Sequence, residues 1–257
     1  MNESKFKELV EIVKVLRKEC PWDKEQTNDS IKANTLEEAY EVVDAIDNKD
    51  DEELKKELGD LIFHVVFHSV IAEEENRFSL NEVLEMIKEK MIRRHPHVFG
   101  EVEVANAKEV TKNWESIKLT EGRNSLLDGV PDKLPSLLKA YRLQEKASKV
   151  GFDWDKKEDV WKKVIEEIEE MHHSEKHETI NELEDEIGDV FFALTNYSRF
   201  LGINPENALR RANTKFVNRF QYIEKKINES GRQINQSNLE EMDKYWNESK
   251  VALKMKK

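Results

Sequence analysis

The sequence predicts an all-α protein made of two tandem helical-bundle modules. Three observations carry this reading. Apolar residues recur at helical spacing over long stretches while none alternates with period two, Gly and Pro number only 8 and 5 in 257 residues, and landmarks of the first half return in the same order in the second, the acidic ones at a constant spacing. Charged residues make up 37% of the chain, a proportion typical of exposed helical faces around a modest core.

Taken in order, residues 3–19 form an amphipathic pattern of mixed charge, and 34–47 carry a stripe of Leu36, Ala39, Tyr40, Val43 and Ile46, expected to be buried. Residues 51–75 hold the most apolar run of the chain, and 79–94 end at "RRHPHVF", where a proline stops the helix. A further helix is expected over 105–118, closing a first module at 1–119. The stretch "TEGRNSLLDGVPDKLP", 120–135, concentrates turn formers and reads as a linker. Helical patterns over 134–150, 157–173, 177–201, 205–229 and 237–254 then make a second module, 136–257.

The net charge of -12, with no concentrated basic face, argues against nucleic acid or an anionic membrane as partner. Cys20 is the lone cysteine, which fits a reducing compartment and leaves no zinc-type cysteine cluster. The N-terminal stretch lacks the basic head and apolar core of a signal peptide, and no run is apolar enough to span a bilayer. A cytoplasmic location is expected.

The repeat is most visible in acidic residues. Glu37, Glu38, Glu41, Glu57, Gly59 and Asp60 return 129 positions later as Glu166, Glu167, Glu170, Glu186, Gly188 and Asp189. Trp22 and Trp114 return 132 positions later as Trp154 and Trp246, and Lys90 with Arg94 answer to Lys215 with Arg219. The tryptophans are expected as core anchors, with one per module able to stack on a base.

Positions three and four apart share a helix face, so Glu38 and Glu41 are neighbours, as are Glu57 and Asp60. The former are also compatible with a solvated face. Glu57 and Asp60 open an apolar run, Leu61 to Ile71, expected to be buried on most sides, where an unpaired carboxylate needs a partner or a metal. Gly59 and Gly188, costly inside a helix, point to close approach by another helix or a ligand, or to an inherited packing contact. Two antiparallel helices would bring the pairs face to face as all-oxygen donors suited to Mg²⁺ or Mn²⁺. Zinc would prefer His or Cys, and neither acid set supplies the Glu-x-x-His of di-iron bundles. His64, replaced by Ala193 in the second copy, reads as a core or supporting residue. Such a site suits phosphoryl chemistry, with Lys90 and Arg94, or Lys215 and Arg219, available for phosphate.

The segments "CPWDKEQT" (20–27), "TLEEAYEVVDAI" (35–46), "ELGDLIFHVVFHS" (57–69), "RRHPHVFG" (93–100), "VGFDW" (150–154) and "ANTKFVNRF" (212–220) together resemble the MazG family of nucleoside triphosphate pyrophosphohydrolases. The resemblance spans nearly the whole chain. It implies an all-α homodimer that uses Mg²⁺ to hydrolyse nucleoside triphosphates to monophosphate and pyrophosphate, with water attacking the α-phosphorus. It further implies metal ligands Glu167, Glu170, Glu186 and Asp189, a water-orienting Glu166, triphosphate contacts from Lys215 and Arg219, and Asn213 and Trp246 near the nucleotide. The first-module equivalents are Glu38, Glu41, Glu57 and Asp60, with Glu37, Lys90 and Arg94. "CPWDKEQT" has no close copy in the second module, so the two pockets are expected to differ. A role in nucleotide-pool housekeeping follows from the same resemblance. The competing readings are a non-catalytic acidic scaffold and a nucleotide sensor.

Overall fold

The computed structural model describes residues 2–121, 125–177 and 179–253, so residues 122–124 of the expected linker and the last residues of the second module lie outside it. Helices account for every regular element among them, and they fall into two compact units, 1–117 and 118–257.

In the first unit α1 (Asn2–Glu19) leads through the short α2 (Pro21–Glu25) to α3 (Lys32–Asn48), α4 (Asp51–Glu74), α5 (Leu80–Arg94), the single turn α6 (Pro96–Phe99) and α7 (Ala107–Thr120), which runs across the division. The α3–α4 connection is only two residues long. Lys49 adopts a left-handed conformation with φ 57°, and Asp50 caps α4 by accepting a hydrogen bond from the Glu53 amide at 3.0 Å. The acidic first turn Asp51, Glu52 and Glu53 suits the positive end of that helix dipole. This hairpin sets the ExxE face of α3 against the start of α4.

The first core gathers Val13, Ile31, Val66, Phe67, Val70, Ile71 and Leu80. Arg17 closes its edge: the guanidinium pairs with Glu74 at 2.6 Å, donates to the Gln26 carbonyl at 2.9 Å and also reaches the Asp23 carbonyl, tying α1, α2 and α4 together. Sequence pattern did not reveal α2, whose five residues are too few for helical periodicity.

The second unit repeats the hairpin. Its helices are α8 (Ser136–Ser148), α9 (Lys157–His177), α10 (Ile180–Phe200), α11 (Pro205–Glu229) and α12 (Leu239–Ala252), with a 3₁₀ turn at Ile234–Gln236. α10 packs on both α9 and α8, and α11 packs on α8 and α12. A reciprocal capping box starts α10: Thr179 Oγ1 accepts from the Glu182 amide at 3.4 Å while Glu182 accepts from the Thr179 amide at 2.8 Å, which holds the Glu182 carboxyl below its ordinary range. Because the cap sets where α10 begins, it also sets the register of Glu186 and Asp189. We expect Thr179→Ala to lower stability by about 1 kcal/mol, read as a fall in the melting midpoint without loss of helix content. Part of the expected linker is fastened to this unit, since the buried Lys146 ammonium donates to the carbonyls of Leu126 and Asp128 at 2.9 and 3.0 Å.

Burial departs from the sequence expectation in three places. Leu36, Tyr40 and Ile46, read as a buried stripe, are 62%, 48% and 55% exposed. Leu58, Ile62 and Val65 leave one face of α4 open rather than buried on most sides, and Ile187, Phe191 and Leu194 leave the matching face of α10 open. Trp22 and Trp154 are surface residues, not core anchors. Helical periodicity identifies an apolar face but does not say what covers it. No helix among the described residues is long and apolar enough to cross a membrane.

Candidate metal and nucleotide site

Each hairpin gathers carboxylates from its two helices. In the first unit, oxygens of Glu38 and Glu41 from α3 and of Glu57 from α4 lie within 4.8 Å of one another; in the second, those of Glu167 from α9 and of Glu186 and Asp189 from α10 do the same. The remaining two predicted ligands stand beside these groups. Asp60 is close enough to Glu38 to raise its pKa, and Glu170 responds in the same way to Glu167.

The electrostatics record the crowding. Burial, then the charge of Asp60, lifts the Glu38 carboxyl above its ordinary value; Glu170 is lifted by burial, then by Glu167; and Glu41 is lifted by the hydrogen bond it shares with Glu57. Glu57 is itself buried and held low by the Lys56 ammonium at 2.8 Å, while its other oxygen meets no N–H or hydroxyl donor among the described residues. A buried acceptor without a donor, set among crowded carboxylates, fits a hard divalent cation.

Sequence reading missed a lysine in each group. Lys56 of α4 bridges Glu53 and Glu57, both at 2.8 Å, whereas Lys163 of α9 bridges Glu166 at 2.6 Å and Glu167 at 2.9 Å. They come from opposite helices of the hairpin, so the repeat did not expose them. The helical spacing of Lys163 to Glu166 and Glu167 was the available signal. Glu37 and Glu166 are both exposed, and Glu166 is the one engaged by a lysine. Gly59 and Gly188 have no neighbouring atom within 4 Å of where a Cβ would stand, so packing inside either unit does not explain them.

The phosphate candidates form a separate group. Arg219 of α11 lies over the Trp246 ring of α12 at 5.3 Å, with Phe216 also against that ring, while Asn213 and Lys215 are exposed on the same helix. In the first unit Lys90 and Arg94 are half-buried, one turn apart on α5.

The two carboxylate groups have different backing. Behind Glu38, Asn28 Nδ2 donates to His68 Nδ1 at 2.7 Å; His68 Nε2 and Thr35 Oγ1 are 2.8 Å apart, and Thr35 Oγ1 and His64 Nδ1 3.1 Å. The Asn28 donor makes His68 Nδ1 an acceptor and sets its Nε2–H toward Thr35, and His64 Nε2 ends 3.8 Å from Glu38. His64 is thus a support for Glu38. Burial lowers both histidine pKa values from 6.5. Since the unfolded chain then binds more protons, these rings withdraw stability as pH falls through and below 6.5. A His64→Ala, His68→Tyr variant, copying the second module, should show a shallower loss of melting temperature between about pH 7 and 5.5.

In the second unit Val164, Ala193 and Tyr197 replace Thr35, His64 and His68. Beside Glu167 and Asp189 there is a cavity of about 350 Å³ between α8, α9 and α10, walled in part by Val160, Phe192 and Ala193.

The family model for the MazG nucleotide pyrophosphohydrolase domain matches twice, at residues 26–99 and 156–223, and each match contains one complete carboxylate set. The chain belongs to the MazG family. Among MazG relatives, the Thermotoga maritima protein named nucleoside triphosphate pyrophosphohydrolase/pyrophosphatase MazG is 42% identical over 250 residues, covering 95% of each chain. The Escherichia coli K12 protein named nucleoside triphosphate pyrophosphohydrolase is 43% identical over 237 residues, 90% of each. A solved MazG-related protein from Thermotoga maritima is 26% identical, with a TM-score of 0.40 over 44% of this chain and 98% of that one.

Proposed function

We propose that this chain hydrolyses nucleoside triphosphates, ribo- or deoxyribo-, to the monophosphate and pyrophosphate, using Mg²⁺, with Mn²⁺ as substitute. The observation that carries the proposal is the convergence of carboxylates from two helices within 4.8 Å, repeated in both modules of a chain whose relatives are named for this hydrolysis. Glu167, Glu170, Glu186 and Asp189 would hold the cation in the second module, and Glu38, Glu41, Glu57 and Asp60 in the first. When bound, the cation neutralises charge on the phosphate oxygens.

The chain's own residues then divide the work. Glu166 orients the water and takes its proton as oxygen bonds to the α-phosphorus; the bond to the α,β-bridging oxygen breaks and pyrophosphate leaves. Lys215 and Arg219 hold the triphosphate, and Asn213 and Trp246 lie near the nucleotide. Glu37, Lys90 and Arg94 have the matching places in the first module. In this reading modules 1–119 and 136–257 are joined by the linker 120–135, and the chain works as a cytoplasmic homodimer in nucleotide-pool housekeeping, without nucleic acid or membrane partners. The apolar faces at Leu58, Ile62 and Val65 and at Ile187, Phe191 and Leu194, which correspond position by position, support pairing with a second copy.

Turnover of several triphosphates with and without Mg²⁺ tests the proposal; stoichiometric monophosphate and pyrophosphate are expected with metal only. Release of orthophosphate would contradict cleavage between the α- and β-phosphates, and no turnover together with an unchanged melting temperature in Mg²⁺ and nucleotide would favour the scaffold reading instead. Lys215→Ala is expected to weaken triphosphate binding about tenfold and monophosphate binding much less. Equal losses for both would make Lys215 structural.

A further inference from the structure

Three of the seven histidines, His172, His173 and His177, stand within the last two turns of α9. The phosphate chemistry proposed above uses none of them. His173 and His177 are four residues apart, so their rings leave the same face of the helix, and both are exposed. Their ring centroids are 4.7 Å apart, with the planes inclined at 42°.

The other histidine pairs differ. His64 and His68 are also four residues apart, but their centroids stand at 6.2 Å and their rings are engaged by Thr35 and Asn28. His95 and His97 are 5.7 Å apart, and His95 Nδ1 lies 2.6 Å from the Met91 carbonyl oxygen. Neither His173 nor His177 has a hydrogen-bond partner among the described residues, so two converging rings keep their nitrogens for a shared ligand.

A dication held by two imidazoles at about 2.0–2.1 Å each needs their nitrogens about 3 Å apart, a separation that rings at this distance reach by turning about Cβ–Cγ. Imidazole suits Zn²⁺, Ni²⁺ and Cu²⁺, whereas the hard cations take oxygen. Position strengthens the case. α9 ends at His177, where the last carbonyls form the negative end of the helix dipole and favour a cation. Glu169, exposed one turn before His173, offers a carboxylate on the same side. The corresponding positions of the first unit hold Tyr40, Asp44 and Asn48, so the arrangement is not part of the repeated machinery.

We propose that His173 and His177 bind a transition-metal dication of the zinc type, with Glu169 and water completing its coordination, at a site separate from the carboxylate group of the α9–α10 hairpin. Occupation does not depend on nucleotide hydrolysis. It clips the last turn of α9 just ahead of the Thr179 cap, so the metal stabilises the second unit, and by linkage the stabilisation grows with free metal concentration.

The test is calorimetric titration of the full chain with Zn²⁺ in excess Mg²⁺, which competes for the carboxylates. Wild type is compared with His173→Gln, His177→Gln, their double variant, Glu169→Gln and Asp189→Asn. Each histidine variant is expected to weaken Zn²⁺ binding about tenfold or more, and Glu169→Gln about threefold. Asp189→Asn leaves it unchanged. Zinc should also raise the melting temperature of wild type and not that of the double variant. The substituted side chains are exposed, so circular dichroism should show helix content preserved in all of them. Electron paramagnetic resonance of the Cu²⁺-loaded chain supplies a second readout: nitrogen coupling is expected in wild type and lost in the double variant. Equal Zn²⁺ affinity in wild type and the double variant, copper bound through oxygen alone, or no Zn²⁺ binding would each overturn the site. So would binding lost in Asp189→Asn but kept in the double variant, which would put the metal among the carboxylates.

Discussion

Asp189→Asn is expected to lower metal-dependent turnover by about 100-fold or more while leaving helix content unchanged. Asp189 shares with Glu167 and Glu186 the 4.8 Å grouping that spans the α9–α10 hairpin, and its side chain is exposed. Replacing one carboxylate oxygen by an amide keeps the shape but removes a negative charge from the set proposed to hold the dication. The fold loses no buried contact, so the loss should fall on activity. Glu186→Gln is expected to behave in the same way, and circular dichroism with magnesium-dependent rates checks both. Full activity in Asp189→Asn would remove Asp189 from the ligand set.

The second large effect concerns stability. Phe67 is 1% exposed, stacks on Phe63 at 5.3 Å and lies beneath the Arg17 guanidinium at 5.6 Å. Phe67→Ala leaves a void in the first core and removes the apolar floor beneath Arg17, a loss of about 3–5 kcal/mol. Chemical denaturation should show the first unit unfolding at markedly lower denaturant. A change below about 1 kcal/mol would mean that the core does not close around Phe67 as described.

Helices and carboxylate pairs were legible in the sequence because both depend on local spacing. Expected helix boundaries at 51–75 and 205–229 fall within a residue of α4 and α11, and three of the four carboxylates of the first ExxE and ExxD pairs, Glu38, Glu41 and Glu57, come together because a two-residue turn leaves α3 and α4 little freedom. Burial was less legible. Leu58, Ile62 and Val65 have the pattern of a core face, yet no part of their own unit covers them, and periodicity does not distinguish a core from an interface. The lysines among the carboxylates escaped because Lys56 and Lys163 reach their sites from different helices. The cavity escaped for a related reason: Gln144, one of its lining residues, comes from α8, ahead of the repeated hairpin.

The most direct measurement is phosphorus NMR of the products formed in ¹⁸O-labelled water with Mg²⁺, using wild type beside Glu57→Gln and Glu186→Gln. Attack at the α-phosphorus predicts monophosphate carrying the label, unlabelled pyrophosphate, and loss of both products in whichever variant disables the working module. Label in the pyrophosphate, or turnover undiminished in both variants, would contradict the account.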